Sequence, residues 1–171
     1  MITIQPVREA DYQFAFRLMR ENMSAYLEAH QIPWDQEWVE ANYRDKENYR
    51  DKENYSIFRD GVWVGFLSIE WRDVSLFVHT LQLRKAVQGG IIGSRVLDFL
   101  LQQVADKNVS QMECKIIVGN PVLELYRRLG FKVIKEKGAL LELQLDIENL
   151  KNKDAKQSGD FWRTHISKLR C

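Results

Sequence analysis

Two stretches of the 171-residue sequence combine residue types and spacings that can serve chemistry. The first, VQGGIIGSRVLDFL at 87–100, sets Gly89 beside Gly90 and repeats glycine at Gly93, just before apolar residues at helical spacing. Glycines that open a helix leave backbone N–H groups unpaired at the positive end of the helix dipole, and they let a ligand come close to the main chain. That is the construction of an anion site. The same residues also describe a plain loop ahead of a helix, and at this level both readings stand. A Walker-type phosphate loop is excluded because no Gly-Lys-Ser/Thr follows. The spacing is not that of the dinucleotide fingerprint either, and the strand before it belongs to an antiparallel meander. The second stretch, VGNPVLELYRRLGF at 118–131, ends a strand and breaks at Asn120-Pro121. It then carries Tyr126 on a short helix and reaches the next strand through Gly130-Phe131.

The elements that must position these stretches follow from periodicity. ITIQPV reads as a first strand, and Asp11 can cap a helix with Tyr12, Phe16, Met19, Met23 and Tyr26 along one side. Pro33 leads into a second helix with Trp34, Trp38 and Val39 on a shared side, where packing is the simpler use of two tryptophans. The hexapeptide YRDKEN occurs twice, at 43–48 and 49–54, and so charged a repeat is expected on a solvated helix end or loop. From Tyr55 the period becomes two, with an Asp60-Gly61 hairpin signal and a further turn at Arg72-Asp73 before the strand VSLFVHTLQL.

After the glycines, Ile92, Val96, Leu97, Leu100 and Val104 form the inward side of a helix. The strand MECKIIV, the helix VLELYRRL ended by Gly130, and a hairpin turning at Lys137-Gly138 complete the domain. The order is strand, two helices, three antiparallel strands, helix, strand, helix and two strands. That is a mixed α/β layer and not a doubly wound sheet. One domain is expected over 1–150, followed by a tail at 151–171. In the tail, Phe161, Trp162, Ile166 and Leu169 can form an amphipathic helix that docks on the domain or on a second copy, as in a homodimer.

Composition narrows the function classes. Content of 45% hydrophobic and 29% charged residues suits a soluble domain with a core, and 25 Lys plus Arg against 24 Asp plus Glu leave no basic footprint for nucleic acid. No export signal or membrane-spanning run is evident, so a cytoplasmic protein with no membrane partner is expected. Cys114 and Cys171 make neither a disulfide framework nor a metal pair. No metal is expected, and Cys114 reads as a small core residue.

QGGIIGSRVLDFLL followed by NPVLELYRRLGF resembles the two signature segments of the GNAT superfamily of acyl-CoA-dependent N-acetyltransferases, with the resemblance spanning Ile2 to Ile147. It implies a mostly antiparallel sheet flanked by helices and splayed at a slot for the pantetheine arm of acetyl-CoA. The backbones of Leu81 and Leu83 would contact the arm. Gln88, Gly89, Gly90, Ile91, Ile92, Gly93 and Ser94 would hold the pyrophosphate, Asn120 would meet the pantetheine amides, and the Tyr126 hydroxyl would lie near the sulfur. The implied reaction is attack by a primary amine, of a small molecule or a peptide, on the thioester. It requires a base, an oxyanion donor such as a strand N–H near Leu81, and an acid for the thiolate.

Tyr126 suits the acid role, or is an aromatic wedge under the sheet. Glu70 is ranked first as base and His79 second, although a solvated glutamate and a core histidine are their plainer readings. Met23, Tyr26, Trp34 and Trp38 would border the amine. Two positions depart from the family pattern: Ile91 replaces its middle glycine, and Lys85 stands where a proline often precedes the turn. Either Ile91 keeps φ below zero and Gly90 makes the close approach, or the turn is strained. The competing reading is a non-catalytic acyl-CoA-binding or sensing module with the same fold.

Overall fold

The computed structural model describes residues 1–45, 52–128 and 130–148. In chain order these form β1 (Ile2–Pro6), α1 (Tyr12–Ala29), α2 (Gln36–Tyr43), β2 (Lys52–Arg59), β3 (Val62–Trp71), β4 (Ser75–Leu83), α3 (Ile91–Ala105), β5 (Gln111–Ile117), α4 (Val122–Arg128), β6 (Lys132–Lys137) and β7 (Leu140–Asp146). The seven strands make one sheet in the order β1-β2-β3-β4-β5-β7-β6. Only β4 and β5 pair in parallel. That exception follows from connectivity, because α3 carries the chain back along the sheet before β5 begins. The architecture is the mixed, mostly antiparallel α/β sheet expected from the sequence. Among the described residues, no helix is long and apolar enough to cross a membrane.

Helices cover both faces of the middle strands, so β3 is buried almost throughout. On one face Phe58, Trp63 and Phe66 pack with Tyr12, Ala15, Phe16, Leu18 and Met19 of α1 and with Val39 and Tyr43 of α2. On the other, Ile57, Leu67 and Ile69 pack against Ile92, Val96, Leu97, Leu100 and Val104, the inward residues read from the period of α3. A register shift between Ile57 and Phe58 lets Trp63 and Phe66, although three apart, serve the same face. The tight turn into β3 depends on positive φ at Asp60 (51°) and Gly61 (79°). Cys114 is buried on the α3 side, as its strand context implied.

Four expectations are corrected. The buried stripe of α1 stops at Met19, and Met23 and Tyr26 are only partly buried because the helix runs on beyond its core contact. Trp34 precedes α2, and Trp38 is 56% exposed, so the shared tryptophan side does not exist. The YRDKEN repeat is not merely solvated. Tyr43 from the first copy is buried, and Lys52, Glu53 and Asn54 from the second open β2, where Asn54 Nδ2 donates to the Tyr12 hydroxyl and to the Tyr43 carbonyl. The rest of the repeat, from 46 to 51, and the tail with Phe161, Trp162, Ile166, Leu169 and Cys171 lie outside the described residues.

Asp11 precedes α1 as expected, but its carboxylate does not cap the helix. It is 2% exposed and accepts from Arg8 Nε (3.1 Å), Arg8 Nη2 (2.9 Å) and the Ser56 hydroxyl (3.0 Å), which in turn accepts from Trp63 Nε1 (3.2 Å). Burial pushes the carboxyl up. The bonds from Arg8 and Ser56, with the Arg8 charge, outweigh burial and hold it below the ordinary carboxylate value. Asp11→Ala should therefore lower unfolding free energy by about 1–3 kcal/mol, since the buried Ser56 hydroxyl loses its acceptor. A depressed carboxyl contributes above its unfolded value of about 3.9, and the contribution fades as pH falls through the folded value. Urea titrations near neutral pH and near pH 3 check this, and the gap between wild type and variant should narrow at the lower pH.

Candidate active site

The ladder between β4 and β5 runs from Ser75 beside Gln111 to Val78 beside Cys114 and goes no further. Its end coincides with a register shift on the other side of β4. There Ser68 of β3 pairs with Thr80 and Ile69 with Val78, which leaves His79 as the extra residue of a bulge. A bulge bends its strand, and here it turns β4 away from β5. Past that point β4 stays paired to β3 and β5 to β7, but the two no longer pair with each other.

Hydrogen-bond alternation tells which residues line the gap. The Arg84 N–H donates to the Val64 carbonyl (2.9 Å), so Gln82 and Thr80 also direct their main-chain groups toward β3, and those of Leu81 and Leu83 face the gap. On the opposite lip, Ile147 N–H to the Ser110 carbonyl and Val118 N–H to the Ala139 carbonyl, each 2.9 Å, turn the alternate residues of β5 toward β7 and leave Lys115 and Ile117 on the gap. The Leu83 carbonyl is already engaged by Asn22 Nδ2 (3.1 Å) and Gln88 Nε2 (2.9 Å). Leu83 thus offers its N–H, whereas Leu81 offers both groups.

The glycine turn opens beside the same gap. A 3₁₀ turn spans Lys85–Val87, Gly89 has φ 75°, Gly90 is extended, and Ile91 is the first residue of α3. Outside glycine, positive φ among the described residues occurs only at Gln31 and Asp60, so the turn stores no strain at Ile91, whose side chain is 53% exposed. The first amides of α3 have no partner within the helix, and a Cβ built on Gly93 would meet nothing within 4 Å. Open space therefore lies where an anion would rest. The side chains of the turn point elsewhere: Gln88 folds onto the Leu83 carbonyl, Ser94 Oγ donates to the Ile91 carbonyl (2.7 Å), and Ile92 is in the core. Any cradle here is made of backbone.

Beyond β5, Gly119 takes φ 95° and Asn120 Oδ1 accepts from the Val122 N–H (3.1 Å), which starts α4 and leaves the Asn120 amide N–H groups for another acceptor. Tyr126 meets Phe131 edge-on at 5.1 Å and packs against the α3-side core while staying partly exposed. On the α1 side of the sheet, His79 Nε2 stands 3.3 Å from Glu70 Oε2, and the same oxygen accepts from Arg72 Nε (2.7 Å). The Arg72 guanidinium lies 4.0 Å over the Phe77 ring. Burial pushes the Glu70 carboxyl up, but the bond and charge of Arg72, helped by His79, hold it low. Burial, with the charge of Lys52, brings His79 down to about 4 despite Glu70. At neutral pH the pair is therefore a carboxylate beside a neutral imidazole whose Nδ1 is the open nitrogen.

Reasoning from sequence missed four residues: Arg72, Lys52, Asn22 and His30. Arg72 reads only as a turn residue, and Lys52 lies in the repeat. Asn22 and His30 carry no local signal, because their partners lie across the fold. Among the described residues, no group of three or more His, Cys, Asp or Glu side chains could hold a metal.

A parallel pair that parts beside a glycine-opened helix is the slot that the resemblance in the sequence implied, and comparison supplies the family. The model of the acetyltransferase (GNAT) family matches residues 18–131, so the chain belongs to that family. Among solved structures it is similar to the PaiA N-acetyltransferase from Thermoplasma acidophilum in complex with coenzyme A, with 18% identity, 85% of this chain and 99% of that one covered, and a TM-score of 0.66. It is also similar to the ribosomal-protein-S18-alanine N-acetyltransferase from Escherichia coli (17%, 86% and 94%, 0.64). A third similar structure is the spermidine N-acetyltransferase from Vibrio cholerae in complex with CoA and spermine (13%, 85% and 95%, 0.64). No curated protein matches the sequence significantly.

The family uses acetyl-CoA, and the residues present fit it: unpaired helix amides, open space at Gly93, and one strand edge free at Leu81. Gly93→Val would fill that space. It should weaken CoA binding by about tenfold or more, whereas Ile91→Gly should shift it by less than about threefold, because Ile91 is already unstrained. Calorimetric titration of both variants with CoA, with circular dichroism to check folding, measures this.

Proposed function

We propose that this chain is an N-acetyltransferase that moves an acetyl group from acetyl-CoA to a primary amine by direct attack. One observation carries the reading: the gap between β4 and β5 is lined by the Leu81 main chain and opens beside the unpaired amides of α3. The amides of Ile91, Ile92 and Gly93 would hold the pyrophosphate, with Gln88, Gly89, Gly90 and Ser94 shaping the turn. Leu81, Leu83 and Asn120 would hold the pantetheine arm. Acetyl-CoA, when bound, supplies a thioester carbonyl activated toward amines.

The chain's own groups then divide three tasks. The Leu81 N–H donates to the carbonyl oxygen as that oxygen gains charge. His79 Nδ1 takes the proton that the amine nitrogen sheds as its bond to the carbonyl carbon forms. The Tyr126 hydroxyl protonates the sulfur as the carbon–sulfur bond breaks. Glu70 acts through His79: its carboxylate is shared with Arg72 and steadies the imidazole from Nε2. This reverses the order expected from the sequence, since Glu70 is occupied and His79 sits at the bend of the slot. The amine would arrive from the α1–α2 side, where Met23, Tyr26 and Trp34 are partly buried and Trp38 is exposed at the rim.

A second reading, an acyl-CoA-binding module without turnover, draws on the surroundings of the pair: Arg72 engages Glu70 and holds it low, and burial brings His79 down to about 4, so both are weak proton acceptors at neutral pH. Calorimetry with acetyl-CoA, followed by thiol release across polyamines, amino acids and peptide N-termini, separates the two. Binding without thiol release on any amine supports the module.

If the transferase reading holds, the enzyme's base is already deprotonated through the neutral range and is lost only as pH falls through about 4. kcat/KM should then rise across pH 6–8 with the titration of the amine itself, as substrates of different basicity would reveal. His79→Gln should lower the plateau more than Glu70→Gln does. Tyr126→Phe should lower kcat by about a hundredfold with CoA affinity nearly unchanged.

A further inference from the structure

The second half of α1 leaves the core and crosses the gap. Asn22 Nδ2 donates to the Leu83 carbonyl (3.1 Å) and to Gln82 Oε1 (2.9 Å) on one lip. His30, just past the end of the helix, brings its Nε2 to 2.7 Å from the Val118 carbonyl on the other lip, directly after β5. A carbonyl only accepts, so His30 carries its proton on Nε2. The two contacts are level with each other. The β4–β5 ladder sets Ser75 beside Gln111 and Val78 beside Cys114, and the same register continued, with His79 counted as the extra residue, would set Leu83 beside Val118. The crossing is thus straight over the slot.

Its length is informative. From Asn22 to His30 a helix advances about 12 Å at about 1.5 Å per residue. Two paired strands stand about 4.8 Å apart, and admitting one extended chain between them requires about 9.6 Å. We propose that α1 is the spacer that holds the lips of the slot at the width of one additional strand, with Asn22 and His30 as its positioning residues. Main-chain groups on two facing, unpaired edges favour closing into ordinary pairing, and a rigid helix tied to both lips opposes that. Tyr26 lies on the same side of the helix as Asn22 and His30, midway along the crossing, and so overhangs the gap. The His30 contact also fixes the start of the segment that carries Gly119, Asn120 and, through α4, Tyr126.

The purpose given to the spacer rests on the acetyl-CoA reading, but its existence is testable in the free protein. Backbone amide exchange is followed at Leu81, Lys115 and Ile117 in wild type, His30→Ala, Asn22→Ala and His30→Gln. Removing a contact lets the lips approach, so protection of these amides should rise by about tenfold in each alanine variant, while amides of α3 such as Val96 and Leu100 change little. His30→Gln, whose amide can still donate to the Val118 carbonyl, should behave as wild type. Calorimetry with CoA should show affinity falling by about tenfold in the alanine variants and kept in His30→Gln. Slot-edge protection that is unchanged or lower in both alanine variants overturns the spacer, as does a His30→Gln variant that behaves like His30→Ala. If His30→Ala fails to fold, Asn22→Ala and His30→Gln decide the matter by the same exchange readout. Wild type that does not bind CoA would overturn the acetyl-CoA reading, while the exchange result still decides the spacer.

Discussion

The bulge at His79 puts one more residue in β4 than β3 can pair, and the strand bends away from β5 at that residue. Main-chain groups that lose a ladder partner must be satisfied elsewhere. Around this gap the replacements are specific. Asn22 and Gln88 take the Leu83 carbonyl and the Asn120 N–H takes that of Ile117 (3.1 Å), while His30 holds the Val118 carbonyl just past the end of β5. Leu81 has no such substitute, so a ligand with amide groups can pair there. The parallel pairing of β4 and β5 matters equally, because it brings the C-terminal ends of both strands, the α3 glycine turn and the start of α4 to one side of the molecule.

Charge is arranged around the same bend. Glu70, His79 and Arg72 form a chain of contacts that ends on the Phe77 ring, and Arg72 Nη1 also approaches Glu113 at 3.8 Å. The guanidinium keeps Glu70 ionised, and burial keeps His79 neutral. Protonating His79 would place a second cation within a group that already holds Arg72 and feels Lys52. Its proton affinity is therefore set first by burial and then by the charge of Lys52 on β2, with Glu70 opposing both and Arg72 adding least.

Local pattern made much of this legible. The inward residues of α3 follow from helical period, the β2–β3 hairpin from Asp60-Gly61, and the breaks at Asn120-Pro121 and Gly130 from turn chemistry. The slot was legible only through resemblance, because the register shift that opens it arises between strands and leaves no mark on either alone. The same holds for Asp11, whose position reads as a helix cap while its carboxylate is claimed by Ser56 from β2 and by Arg8. Trp38 has a helical spacing that suggests packing, yet α2 is short and turns that position outward. The YRDKEN repeat misleads for a related reason: identical hexapeptides meet different surroundings, and Asn54 is drawn inward by partners on α1 and α2.

Cys114 is the last residue of β5 that pairs with β4, at the fork where the two strands separate. A thiol at the fork of a slot proposed for a thioester raises the prospect of transthioesterification, in which a cysteine captures the acyl group before the acceptor arrives. Cys114 is unsuited to that role. Its side chain belongs to the core on the α3 side, and burial pushes the thiol up to about 12, so thiolate is scarce at any pH the protein would meet. Among the described residues it is the only cysteine. A double-displacement cycle would need a nucleophile other than this one.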